Sequence, residues 1–184
     1  MPRDARSNGI NAADCGAVLE VLDHGELISF SFDDLLKYHG TSSIGGVAHG
    51  FKVLERGLPI LGEGQPPERY DIVVETAFPG PGARDAFEMV TRAVTGERYR
   101  AAPELAEVDA PIAPQGRYFF RLGYRGRTVE LKLRDGLASD ELVQLAQLDS
   151  HTPAQDERFT WLKHDMATRL MELPAEEVYD AEEG

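Results

Sequence analysis

The stretch "HGTSSIGGVAHGFKVLERGLPIL", residues 39–61, sets a histidine, three hydroxyl side chains and a double glycine directly ahead of an apolar repeat. From Val47 onward, Val47, Phe51, Leu54, Leu58 and Leu61 recur three or four residues apart, on one face of a helix of about 15 residues. Just upstream, "SFDDLLKY" (31–38) carries a serine cap, two acids in the first turn and leucines for a core, and predicts a short helix ending near Gly40. Ordered structure is expected to begin with "GAVLEVLDHG" (16–25) and "ELISF" (26–30), after a polar, aperiodic and flexible segment, residues 1–14.

Downstream, "YDIVVETA" (70–77) reads as a strand, with Ile72 and Val74 on one face and Val73 and Glu75 on the other. "FPGPG" (78–82) ends it. "ARDAFEMVTRAVTG" (83–96) places Ala86, Met89, Val90 and Ala93 at helical spacing, with Gly96 as the expected cap. "RYFFRLGY" and "RTVELKL" alternate on either side of "RG" and predict an antiparallel pair. "ASDELVQLAQ" (138–147) and "QDERFTWLKHDMATRLMEL" (155–173) read as helices, and "PAEEVYDAEEG" (174–184) as a solvated acidic tail. Helix, strand, helix and a strand pair, followed by C-terminal helices, describe a single α+β domain over residues 15–173, and not the repeating units of a doubly wound sheet.

Composition narrows the function. The 184 residues suit one domain, and 42% hydrophobic with 28% charged residues is ordinary for a globular chain. No apolar run reaches the roughly 18 residues of a membrane span, and no signal peptide is visible. A net charge of -13 repels nucleic-acid phosphates and anionic lipid alike. Cys15 is the single cysteine, which excludes an intrachain disulfide, a cysteine zinc site and an iron–sulfur cluster within one chain, and suits a cytoplasmic setting. Nucleophile elbows, phosphate-binding P-loops and dinucleotide fingerprints are absent.

Two segments carry chemistry. In the first, His39 and Ser43 are four apart, while Thr41, Ser42 and Ser43 cap a helix or orient a ligand. Gly45 and Gly46 let a ligand or another backbone approach the helix start. In the second, Glu75 and Asp85 flank the glycine-proline loop, with Arg84 beside them. His49 is assigned to packing or to the helix surface, and His24, His151 and His164 lack co-ligands at metal spacing.

Together these segments resemble the FmdE-like domain family, which takes its name from a non-catalytic component of formylmethanofuran dehydrogenase. "HGTSSIGG" matches His39, Gly40 and Gly45 of the family's first motif, and "ETAFPGPGARDAFEMVTRAVTG" matches Glu75, Asp85, Ala86, Thr91 and Gly96 of its second. "LMELPAEEVYD" resembles the closing stretch. The family's soft ligands are missing: Thr41 and Ser43 replace a histidine and a cysteine, and Gly82 and Ala93 stand near two further cysteine positions. The resemblance implies a mixed, largely antiparallel sheet and a homodimer, with His39 as the one residue left to hold a heme or a single divalent metal. Three functions stay open at this point. One is a domain that binds a small ligand between the 39–46 turn and the 75–85 loop. Another is a cofactor-free enzyme with His39 as general acid or base, assisted by Ser43, Glu75 or Asp85. The third is an accessory component of a partner enzyme.

Overall fold

The computed structural model describes residues 16–102, 104–105 and 109–184. Residues 1–14 and Cys15 lie outside the described residues. The first elements described form a hairpin of β1 (Leu19–Asp23) and β2 (Glu26–Phe30). Its turn residues His24 and Gly25 both have positive φ, 51° and 86°, the type I′ geometry that suits twisted strands. Buried Arg69 ties this hairpin to the body of the fold, with Nη1 3.1 Å from Asp23 Oδ2 and Nε donating to the Val90 carbonyl at 2.9 Å.

Helix α1 (Phe32–His39) starts in a capping box: Ser31 Oγ accepts from the Asp34 amide, and the Asp34 carboxylate accepts from the Ser31 amide. The apolar repeat forms α2 (Ile44–Leu61), which begins three residues ahead of Val47 and buries all of its 18 residues except Glu55, Arg56, Pro59 and Ile60. It runs through the middle of the molecule, against the sheet on one side and helices on the others. Strand β3 (Ile72–Thr76) buries Ile72 and Val74 as its alternation requires, and leads into α3 (Pro81–Thr91). This helix stops at Arg92, in the left-handed conformation at φ 54°, short of the expected cap at Gly96. The cause is Glu88, whose carboxylate accepts from the Val94 and Thr95 amides and so turns the chain out of the helix early.

Strand β4 (Tyr99–Ala101) then runs parallel to β3, and β5 (Phe119–Tyr124) pairs with β3 on its other edge, antiparallel. β6 (Arg127–Leu133) follows β5 through Arg125 and Gly126, both at positive φ, another type I′ turn. Two helices come next, α4 (Asp140–Ala146) and α5 (Pro153–Glu172), each capped at its start by a hydroxyl side chain, Ser139 and Thr152. The expectation of a solvated tail over 174–184 is corrected: this segment folds into a short helix α6 (Ala175–Val178) and an edge strand β7 (Tyr179–Glu183) antiparallel to β6. Val178 and Tyr179 are 0% exposed, so these apolar residues anchor the segment while its acids face water.

The result is an α+β fold with a mixed five-stranded sheet, ordered β4-β3-β5-β6-β7. No helix among the described residues is long and apolar enough to cross a membrane.

Candidate functional site

The start of α2 is built from residues that bring backbones together. A Cβ on Gly46 would lie 3.3 Å from Gly82 Cα, one on Gly50 2.6 Å from Ala86 Cβ, and one on Gly82 2.4 Å from the Ser43 carbonyl oxygen. A Cβ on Gly45 would sit 3.4 Å from the Lys163 carbonyl oxygen. The double glycine therefore admits α3 on one side and α5 on the other. Of the two approaches expected there, the structure uses the backbone one.

That contact draws His39 and Asp85 together. They come from the last turn of α1 and the second turn of α3, and His39 Nδ1 lies 2.7 Å from Asp85 Oδ2. The His39 side chain is 7% exposed, and its Nε2 is buried with no hydrogen-bond partner among the described residues. Arg84 Nη1 approaches the other Asp85 oxygen at 3.7 Å from an exposed position, and Thr41 is exposed. Among the described residues no three His, Cys, Asp or Glu side chains converge. With Nε2 enclosed and no cluster of co-ligands around it, His39 does not fit the role of ligand to a heme or a divalent metal in this conformation.

Glu75 is drawn away from this centre. Alternation along β3 turns it to the face opposite buried Val74, where its carboxylate pairs with Arg100 and, at 3.2 Å, with Arg121. Hydrogen bonds from Arg100 hold its carboxyl below the usual carboxylate range, so it stays ionised within a charge ladder.

A cavity of ≈ 390 Å³ opens beside the α2 start. Ser42, Ser43, Gly45, Gly46 and His49 line it from the α2 side, Phe78, Gly80 and Pro81 from the β3–α3 loop, and Pro114, Gln115 and Tyr118 from the segment before β5. Leu142 and Ala146 of α4 and Phe159, Lys163 and Met166 of α5 complete the wall. The turn and the glycine-proline loop thus meet within one chain, while His39, Glu75 and Asp85 are not part of the lining.

The floor of the cavity was not legible as a site. His49 is 1% exposed, with Nδ1 2.7 Å from the Tyr179 hydroxyl and Nε2 3.2 Å from Met166 Sδ. A thioether can only accept, so Nε2 carries the proton and Nδ1 accepts from the tyrosine O–H. The ring stacks on Tyr118 at 4.3 Å between centroids, with Phe78 edge-on at 5.9 Å. Burial pushes the imidazole down to about 3, so it is neutral, and raises the phenols of Tyr118 and Tyr179. One signal was available: His49 follows Gly45 by four residues, one turn below the double glycine on the same helix face. Nothing in the local sequence announces Tyr118, Met166 or Tyr179, which come from 69 to 130 residues away (118 − 49 and 179 − 49).

At the mouth the chemistry changes. Ser42 is exposed and Ser43 half-buried, and neither hydroxyl has a hydrogen-bond partner among the described residues. Lys163 Nζ donates to the Ser42 carbonyl at 3.3 Å and lies 4.8 Å from the centre of the Phe159 ring. The arrangement is an apolar chamber with a neutral histidine on its floor and polar groups at its rim. No family model matches this chain, and no curated protein sequence does.

Proposed function

We propose that the chain is a small-molecule-binding domain and that the cavity beside the α2 N-terminus holds the ligand. The observation that carries this reading is the cavity itself: ≈ 390 Å³, walled mainly by aromatic and aliphatic side chains, with few polar groups, all placed by packed elements. That size and lining fall within the range of small-ligand sites, about 300–1,000 Å³. The resemblance to FmdE-like domains supports the location, because its first motif falls on the turn that forms the cavity rim.

Native mass spectrometry of the purified chain, followed by thermal-shift screening of whatever is released, tests the proposal. Ala146→Trp fills the chamber from its wall and serves as the control. The ligand is expected to raise the melting temperature of the wild type and leave the variant unmoved. Equal shifts in both proteins would sink the reading.

The His39–Asp85 pair favours a second reading, a cofactor-free enzyme. A carboxylate on Nδ1 and a free Nε2 is the orientation of a general base, and Nε2 needs only a local opening of the α1 end to meet a substrate. Turnover of a substrate by the wild type, lost in His39→Gln with the melting temperature kept, is the expected result. No conversion by the wild type removes this reading.

A further inference from the structure

The charge around the cavity is opposite to that of the molecule. The chain carries 32 Asp and Glu against 19 Lys and Arg, yet among the described residues no carboxylate lines the chamber. Three other surface clefts each carry at least one glutamate: Glu20 and Glu55 in one, Glu55 and Glu176 in a second, and Glu75 in a third. Lys163 is the one lysine or arginine of the lining, and it has no carboxylate within ion-pair distance among the described residues. Its ammonium has three protons to donate, and a carbonyl takes one of them. The Ser42 and Ser43 hydroxyls beside it are unengaged. On a surface this acidic, a lysine with no ion pair and two free hydroxyls among the described residues, at the rim of an apolar chamber, forms a local positive spot suited to an external anion.

We infer, building on the ligand-binding reading above, that the occupant of this cavity is a small organic anion, a carboxylate or phosphate monoester with an apolar, ring-sized body. Its charged end sits at Lys163, Ser42 and Ser43, and its body lies between Phe78, Tyr118 and Phe159. The starts of α2 and α3, neither capped by a side chain, open toward the same space and add their dipoles to the attraction. Neutral His49 on the floor presents no charge to the buried end of the ligand, which suits an apolar body there.

Isothermal titration of three probes separates the possibilities: phenylacetate, phenyl phosphate and the neutral phenylacetamide. The titrations are run on the wild type, Lys163→Met and Ala146→Trp. The expected result is that at least one anion binds the wild type roughly tenfold or more tightly than the amide, the worth of one charge-assisted hydrogen bond. Lys163→Met keeps the apolar stem and is expected to erase that preference, while Ala146→Trp abolishes all binding. The tighter of the two anions identifies carboxylate or phosphate as the recognised group. Amide and anions of equal affinity on the wild type, all lost in Ala146→Trp, would overturn the anion inference and leave the cavity reading standing. Anion binding that survives both substitutions lies elsewhere and overturns the inference. If no probe binds the wild type, the anion inference fails, and the cavity reading falls only if the native mass spectrum is also empty.

Discussion

His49 couples the fold to pH. Burial keeps its imidazole neutral down to about pH 3, whereas in the unfolded chain it takes up a proton near 6.5. Between these values the unfolded state binds the extra proton, so the stability contributed by neutral His49 is complete above 6.5 and is lost as pH falls toward 3. Between pH 7 and pH 4.5 the loss from this one residue amounts to about 3 kcal/mol. Urea denaturation of the wild type and His49→Gln at both values checks it: stability of the variant is expected to fall by about that much less. Parallel losses in the two proteins would show that other groups govern the acid response. The same residue shows why the site was only half legible. Serines, glycines and a histidine in one turn advertise chemistry at short range, and they do form the rim. Partners that make a buried histidine functional arrive from distant elements, and no local pattern encodes them.

At the scale of elements, the α2–α3 contact is set by the absence of side chains. Gly→Ala changes in a helix bring about 1 kcal/mol of propensity, set against whatever the new methyl strikes. At Gly82 it meets fixed backbone, the Ser43 carbonyl oxygen at 2.4 Å and the Val47 nitrogen at 2.7 Å. At Gly50 it meets Ala86 Cβ at 2.6 Å, a methyl that moves only with its helix, and at Gly57 the tip of the buried Leu122 side chain at 2.6 Å, the one of the three obstacles with rotatable bonds of its own. The expected order of destabilisation is Gly82→Ala, then Gly50→Ala, then Gly57→Ala. The first two cost about 1–3 kcal/mol or more, and the third lies near neutral. Thermal melts of the three variants settle the order, and a large loss at Gly57 would show that the sheet side of α2 is the rigid one. Legibility at this scale follows burial. The apolar repeat of α2 and the alternation of β5 and β6 reflect faces pressed against a core, so the pattern survives in the sequence. β7 is an edge strand that commits only Tyr179 and Ala181 to the inside, and its remaining acids mimic a tail. The early end of α3 depends on the Glu88 side chain reaching two amides beyond it, a contact that glycine-based capping rules do not include.

For the molecule as a whole, the last structured segment is a structural member. Removal of residues 174–184 strips β7 from β6 and withdraws Val178 and Tyr179, two fully buried side chains worth about 1.5–3 kcal/mol each. Set against the 5–15 kcal/mol that typically holds a domain together, the roughly 3–6 kcal/mol lost is most of the stability of a fold at the marginal end. The shortened chain is expected to melt about 6–24 °C lower, at about 2–4 °C per kcal/mol for a domain of 150–250 residues, or to be insoluble. A truncated chain with an unchanged melting temperature and far-ultraviolet circular dichroism would show that the segment is dispensable.

The hydrogen bond from Tyr179 to His49 spans 130 residues. A nascent chain emerging from the ribosome carries Ser42, Ser43 and His49 early but gains the α5 wall and the partner of His49 only as residues 159–179 are translated. The binding proposed for the cavity therefore requires Tyr179 to have been made, and a product terminated before it has an opening without a floor.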